Sequence, residues 1–551
     1  MKKALLPLAL TALFALPAHA GEAESLDTLR QTTMNLIDAL VDTGVLTRDK
    51  ADELIKAAEA KAAKTAAKAK KDTTVRVQYV PESVKAEIRD QLKQEVLAQA
   101  RSEGWATPNA IPEWTERIKI EGDVRFRYQA DRFGSSNSAI QEYNNQQTAQ
   151  AAAYPDITRN PSAAQLSGDA QPSGNVSDDV SRFRVRARLG VLAKINDSVS
   201  AGLRFATGNT SDRVSTNQTL GQNFNKYSFQ VDRAYLKFDP YEWLSVSGGR
   251  LPNPWFNTDL TWDEDLNFEG LSATVRSVTA TDRFRPFATV GWFPLRADSP
   301  PKAGSRSLTG LQVGTDFDLS SNTRIRFGLA KFLYRNIAGH QDDGYDLINN
   351  VRAPGYGKHE YDSSFRQKGN TLFQTTLGNG DNALASPYWG LASKFEPVVF
   401  TVAADLAHFD PWHVMLSAEY VKNTAFDRGE IKHRTGLTLL DGKDTAWQVR
   451  MQVGTPAVRE AGDWQAFTAY RYIGSDALLD AFVDSDFGLG GTNLRGYVLG
   501  GSYAICRDTA LGVRWFSAEN IDSMTYDSPN VLLTGQKFKV DTFMVDMTVR
   551  F

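Results

Sequence analysis

Arginine recurs at every second position in several stretches of this chain, and that spacing limits what it can do. Arg125 and Arg127 stand in RIKIEGDVRFRY (residues 117–128), and Arg184, Arg186 and Arg188 follow Arg182 in the same rhythm. Arg204, Arg233 and Arg250 sit in later alternating segments, as do Arg326 and Arg514. A guanidinium is always charged and grips carboxylate or phosphate through a rigid fork. A row of them on one strand face is either a solvated positive wall or an anion-recognising one. In a dry core the same row would be prohibitively costly. The acidic counterpart is LPNPWFNTDLTWDEDLNFE (residues 251–269), with Asp259, Asp263, Glu264 and Asp265. Folded back against the arginines, this segment makes a constriction loop with a field across it. Its other readings are an external loop or a weak Ca²⁺ site, although its spacing matches no EF-hand.

Nothing in the chain is arranged for catalysis. The histidines are His19, His340, His359, His408, His413 and His433, and no H-E-x-x-H, G-x-S-x-G, phosphate loop or C-x-x-C occurs. No catalytic residue, metal site or cofactor is expected. Cys506 is the only cysteine, so the chain forms no internal disulfide. A net charge of −3 gives no reason to expect nucleic acid as a partner.

The elements that must position the arginines follow from period two. In residues 117–128, Ile118, Ile120, Val124, Phe126 and Tyr128 share one face, and Lys119, Glu121, Asp123, Arg125 and Arg127 share the other. The final segment alternates Phe543, Val545, Met547, Val549 and Phe551 with Met544, Asp546, Thr548 and Arg550. About sixteen such segments run from 117–128 to 541–551. Short turns, among them Asn196-Asp197, Asp239-Pro240, Asp410-Pro411 and Arg507-Asp508, alternate with long polar loops, the third of them at 251–267. An even strand count with short and long connections alternating describes a transmembrane antiparallel β-barrel: turns and termini periplasmic, long loops outside. Sixteen strands enclose more space than side chains fill, which implies an aqueous channel. Tyr128, Tyr241, Trp243, Trp292, Phe293, Trp412, Trp464, Tyr472 and Phe551 are candidates for interfacial aromatic girdles.

Upstream, Lys2, Lys3, the apolar run Leu5–Leu16 and Ala18-His19-Ala20 predict a signal peptide over 1–20. Residues 21–113 have helical spacing: Leu26, Leu29, Thr33, Leu36 and Leu40, then a helix from Asp49 to Lys70, then one opened by Pro81 and closed by Gly104. This predicts a coiled-coil-like periplasmic segment that drives oligomerisation or contacts the cell wall, or else serves as a flexible tether. The barrel then occupies 114–551.

Val75 to Trp114, including Tyr79-Val80-Pro81-Glu82, together with Gly248-Gly249-Arg250-Leu251-Pro252-Asn253-Pro254-Trp255, resembles the putative porin family of Gram-negative outer membranes. The terminal Phe551 on an alternating strand resembles the assembly signal of outer-membrane proteins. The resemblance spans nearly the whole mature chain and implies a channel, outer-membrane lipid as surroundings and a homotrimer, while leaving the solute open. Three functions stay in play: diffusion of small hydrophilic solutes, specific uptake of an anion such as phosphate or a carboxylate, and a structural link from the outer membrane to peptidoglycan.

Overall fold

In the computed structural model, period two resolves into an inside and an outside that reverse those of a soluble protein. Ile120 is 62 % exposed on the outer surface, whereas Arg127 on the opposite face is fully buried. The residues described are 56, 117–137, 177–210, 212–279, 283–297, 305–340, 345–346, 351–352, 358–362, 365–375, 389–436, 438–439, 442–522, 526–527 and 537–551. The signal peptide and the helices expected within 21–113 lie outside them, Lys56 excepted, which is helical.

Sixteen strands form the wall: β1 Ile118–Phe133, β2 Val180–Lys194, β3 Val199–Thr207, β4 Phe229–Tyr241, β5 Leu244–Pro252, β6 Asn267–Arg276, β7 Phe284–Arg296 and β8 Arg306–Ser320, then β9 Thr323–Arg335, β10 Pro397–Phe409, β11 Trp412–Asn423, β12 Thr445–Gly454, β13 Trp464–Ile473, β14 Leu494–Cys506, β15 Thr509–Asn520 and β16 Lys539–Arg550. Each pairs antiparallel with the next. β16 returns to β1, with Asp123 opposite Arg550 and Phe133 opposite Val540, so the sheet closes. Closure leaves the wall without a free edge strand, as a hydrocarbon surround demands. The last residue completes the seam: Gly122 and Phe551 exchange backbone hydrogen bonds of 2.9 and 3.1 Å. A Cβ on Gly122 would lie 2.6 Å from the Phe551 ring and closer still to the Arg188 carbonyl, so the close approach of both requires glycine.

Three details depart from the alternating pattern. Asp239 and Pro240 lie inside β4, and the turn falls at Glu242-Trp243; a register shift between Phe238 and Tyr241 absorbs the proline, which has no N–H to give. The segment expected from 391 begins its barrel strand at Pro397, because Trp389–Leu391 pairs with Leu372–Gln374 at the rim. Phe293 is buried inside the barrel, since it neighbours the outward Trp292 and must point the other way. Of the other girdle aromatics, Tyr241 and Trp243 stack outside at 5.3 Å, and Trp412 packs with Trp464 at 6.2 Å.

Val545 lies on the outward face between the exposed Phe543 and Met547. An arginine there is expected to cost about 2–4 kcal/mol in reversible unfolding from lipid vesicles. Ser502→Arg, on the inward face beside the exposed Tyr503, should be close to neutral in the same measurement.

Candidate functional site

The chain between β5 and β6 turns into the barrel. Asn253 Oδ1 accepts from the Trp255 N–H at 3.0 Å, a local bond that redirects the backbone. The Trp255 indole then packs edge-on against Phe293 and Phe332, and over Gly310, where a Cβ would sit 2.6 Å from the ring. Gln312 on β8 clamps Phe256 from both sides, accepting from its N–H at 2.8 Å and donating to its carbonyl at 2.7 Å. Further on, Glu419 of β11 receives three donors: Thr258 N–H at 2.7 Å, Thr401 Oγ1 at 2.9 Å and Thr261 Oγ1. Asp259 accepts from Gln448 of β12 and Arg471 of β13, both at 2.7 Å. The loop therefore leaves one wall and is pinned to the opposite one.

A second loop, between β13 and β14, also enters. Arg471, 1 % exposed, joins Asp484 at 2.7 Å as well as Asp259, so one guanidinium binds both loops. Arg127 binds Asp546 of β16 through two bonds of 2.6 and 3.0 Å and reaches Asp486 at 3.1 Å. The loops also bond each other: Asp263 N–H donates to the Phe482 carbonyl at 3.0 Å, and Ser485 N–H to Asp263 Oδ2 at 3.1 Å. Toward the long-loop end, Trp262, Phe268, Phe293, Phe332 and Phe482 form an apolar core inside the barrel. A cavity of about 710 Å³ remains beside the arginines.

The remaining arginines divide by partner. Arg186 and Arg188 share Asp123 at 2.9 and 2.6 Å and face Asp265 at 3.7 and 3.1 Å. Asp265 also accepts from Thr216 Oγ1 at 3.1 Å. Arg184 donates to Gln129 at 3.2 Å, and Arg204 to Asp232 at 2.5 Å. Arg125 donates to Asn217 at 2.6 Å and Arg233 to Asn267 at 2.7 Å. Glu264 is exposed and lines the cavity. Arg250 departs from the set. Its strand neighbour Leu251 is buried inside, so Arg250 turns to the outer face and pairs with the exposed Glu269 at 2.5 Å. The Arg250 Nε fills part of the gap where β4 lacks a neighbour, donating to the Asp232 carbonyl at 2.8 Å.

Within the inserted loops, charge follows surroundings. Burial pushes the Asp259 carboxyl up, but Arg471 and Arg450 outweigh it and hold the group at about 2. Burial, with Asp484 and Asp265 close by, pushes Asp263 well above the carboxylate range. Asp486 stays below that range, because Arg127 and Arg514 overcome its desolvation.

A family model described as "Putative porin" matches residues 30–551. The chain belongs to this family. It is a porin-like barrel of the outer membrane. No protein of curated function matches the sequence. Among solved structures, a loop L8 deletion mutant of OmpT, an outer membrane protein of Vibrio cholerae, is 9 % identical with a TM-score of 0.37 over 79 % of this chain and 100 % of that one. The in-vitro folded trimer form of OmpT from the same organism gives 8 % and 0.37 over 79 % and 99 %. Salmonella typhi OmpF in complex with daunomycin gives 10 % and 0.35 over 79 % and 97 %.

In this porin-like barrel the second inserted loop, with Asp484 and Asp486, has no counterpart in the sequence-based expectation, nor do Arg450, Arg471 and Glu419. A signal was available: GSDALLDAFVDSDFGLGG (474–491) mixes acids with large apolar residues, as 251–269 does. Residues of 361–362 and 365–375 bond to it. Asp476 accepts from Thr371 N–H at 3.0 Å and Thr371 Oγ1 at 2.6 Å, Tyr361 donates to Asp480, and Lys368 donates to the Gly488 carbonyl at 2.5 Å under the Phe538 ring.

Two outcomes are expected from these contacts. Glu419→Ala removes an acceptor shared by three donors and should lower the local stability of residues 256–262 by about 1.5–3 kcal/mol, read as faster hydrogen exchange. Acidity should tune the second loop. Burial raises Asp476 and Asp480 to about 6 and lowers Lys368 to about 7. From the ordinary carboxylate value up to about 6, the packed loops hold protons that opened loops release, so rising pH weakens the packing. From about 7 up to the ordinary lysine value, the opened loops hold the extra proton, so rising pH strengthens it. Hydrogen exchange of 365–375 and 474–493, corrected for intrinsic rate, should be fastest between these two ranges and slower on either side.

Proposed function

We propose that the chain forms a water-filled channel for small hydrophilic solutes, narrowed where the inserted loops face the arginines of the wall. The observation that carries this reading is the cavity of about 710 Å³ between Asp259, Asp263, Glu264 and Asp265 on one side and Arg125, Arg186, Arg188, Arg204 and Arg233 on the other. Charge of both signs at a narrow aqueous passage favours polar solutes over apolar ones, whose passage would leave these groups without water or partner. Arg250 is left out of this lining. A peptidoglycan contact by residues 21–113 and the trimer implied by the family resemblance belong to the same proposal. An anion-selective version is favoured by one observation, that nine arginines face seven carboxylates around the cavity.

Reconstituted into planar bilayers, the purified protein should give stepwise, ohmic conductance in KCl. Arg471→Gln, which frees both loops from their common anchor, should make that conductance larger and noisier. A correctly folded protein that passes no current would end the channel reading.

A further inference from the structure

Among the arginines that line the cavity, two pairs stand directly opposite each other on neighbouring strands: Arg125 faces Arg186, and Arg204 faces Arg233. Like charges in direct register repel, so each pair needs anionic partners. Arg186 has Asp123 and Arg204 has Asp232. Arg125 and Arg233 have only the amide oxygens of Asn217 and Asn267. Among the described residues no carboxylate lies within ion-pair distance of either. Arg125 is 6 % exposed, and its Nε is a buried donor without a partner, as is Arg204 Nη2. A buried, unmatched donor is costly unless something else accepts from it. Both arginine pairs line the same cavity. The acids there offer little to a cation, because Asp259, Asp265, Asp486 and Asp546 are already held by arginines.

Resting on the channel reading, we propose that the wall sector carrying Arg125, Arg204 and Arg233 binds a small, doubly charged oxyanion during its passage. Two guanidiniums without a counter-ion match two negative charges. The unmatched donors of Arg125 and Arg204 suit a ligand with several acceptor oxygens, and a guanidinium fork takes two such oxygens at once. Inorganic phosphate and a short dicarboxylate share this chemistry. Arg127, Arg186, Arg188 and Arg471 hold the structure together and are not the ligand's main contacts.

The full-length protein is tested in planar bilayers, with KCl current titrated against inorganic phosphate at alkaline pH, against succinate and against acetate. Phosphate and succinate should each reduce the current saturably, at lower concentration than acetate. Arg125→Gln and Arg233→Gln should each raise the half-blocking concentration by about tenfold or more. Arg495→Gln, whose side chain pairs with Glu519 at 2.8 Å on the outer face, should leave it unchanged. Should Arg125→Gln fail to assemble, Arg233→Gln carries the comparison alone. Block that survives the substitutions, or acetate acting as well as phosphate, overturns the inference. Current without block by any oxyanion overturns it while leaving the channel standing, and no current from folded protein removes both.

Discussion

Arg471 is buried inside the barrel and bound by two carboxylates from two different loops, and the arrangement of the lumen depends on that contact. A guanidinium cannot shed its proton, so once buried it must be paired. The cost of leaving it alone fixes the loops more firmly than their own backbone would. Gln448 adds to the constraint, accepting from Arg471 Nε at 2.6 Å while donating to Asp259 at 2.7 Å. Arg127 repeats the device on the other side with Asp546 and Asp486. Between them the two arginines tie both inserted loops to the wall.

The arginines are therefore not one population. Those with two carboxylate partners brace the interior, and their charge is cancelled where it stands. Arg125, Arg184 and Arg233 have amide partners instead, and two of them, Arg125 and Arg233, line the cavity. Regular spacing along the strands hides this distinction, because the partners come from other strands and from loops far away in sequence. Arg127 and Asp486 are 359 residues apart, and Asp259 and Gln448 are 189 apart.

The wall was the most legible part of the chain. Each strand's inside and outside can be read from its own ten or so residues, since adjacent side chains point to opposite faces. Where that reading slips, a local cause is visible: the proline-bearing irregularity near Pro240, the rim hairpin that takes Trp389–Leu391, and the parity that sends Phe293 inward and Arg250 outward. The loop at 251–267 drew attention through its acids and aromatics. The loop at 474–493 carries the same mixture, but length and glycine content disguise it as an external connection.

Sequence alone determined the antiparallel strands, their number, the apolar outer face and the charged inner one, because these follow from nearest-neighbour geometry and from the solvent each face requires. Tertiary structure alone decided which arginines are neutralised, which loops fill the interior and where a cavity is left. Those outcomes depend on contacts between residues hundreds of positions apart, and a charge's partner cannot be inferred from the residues beside it.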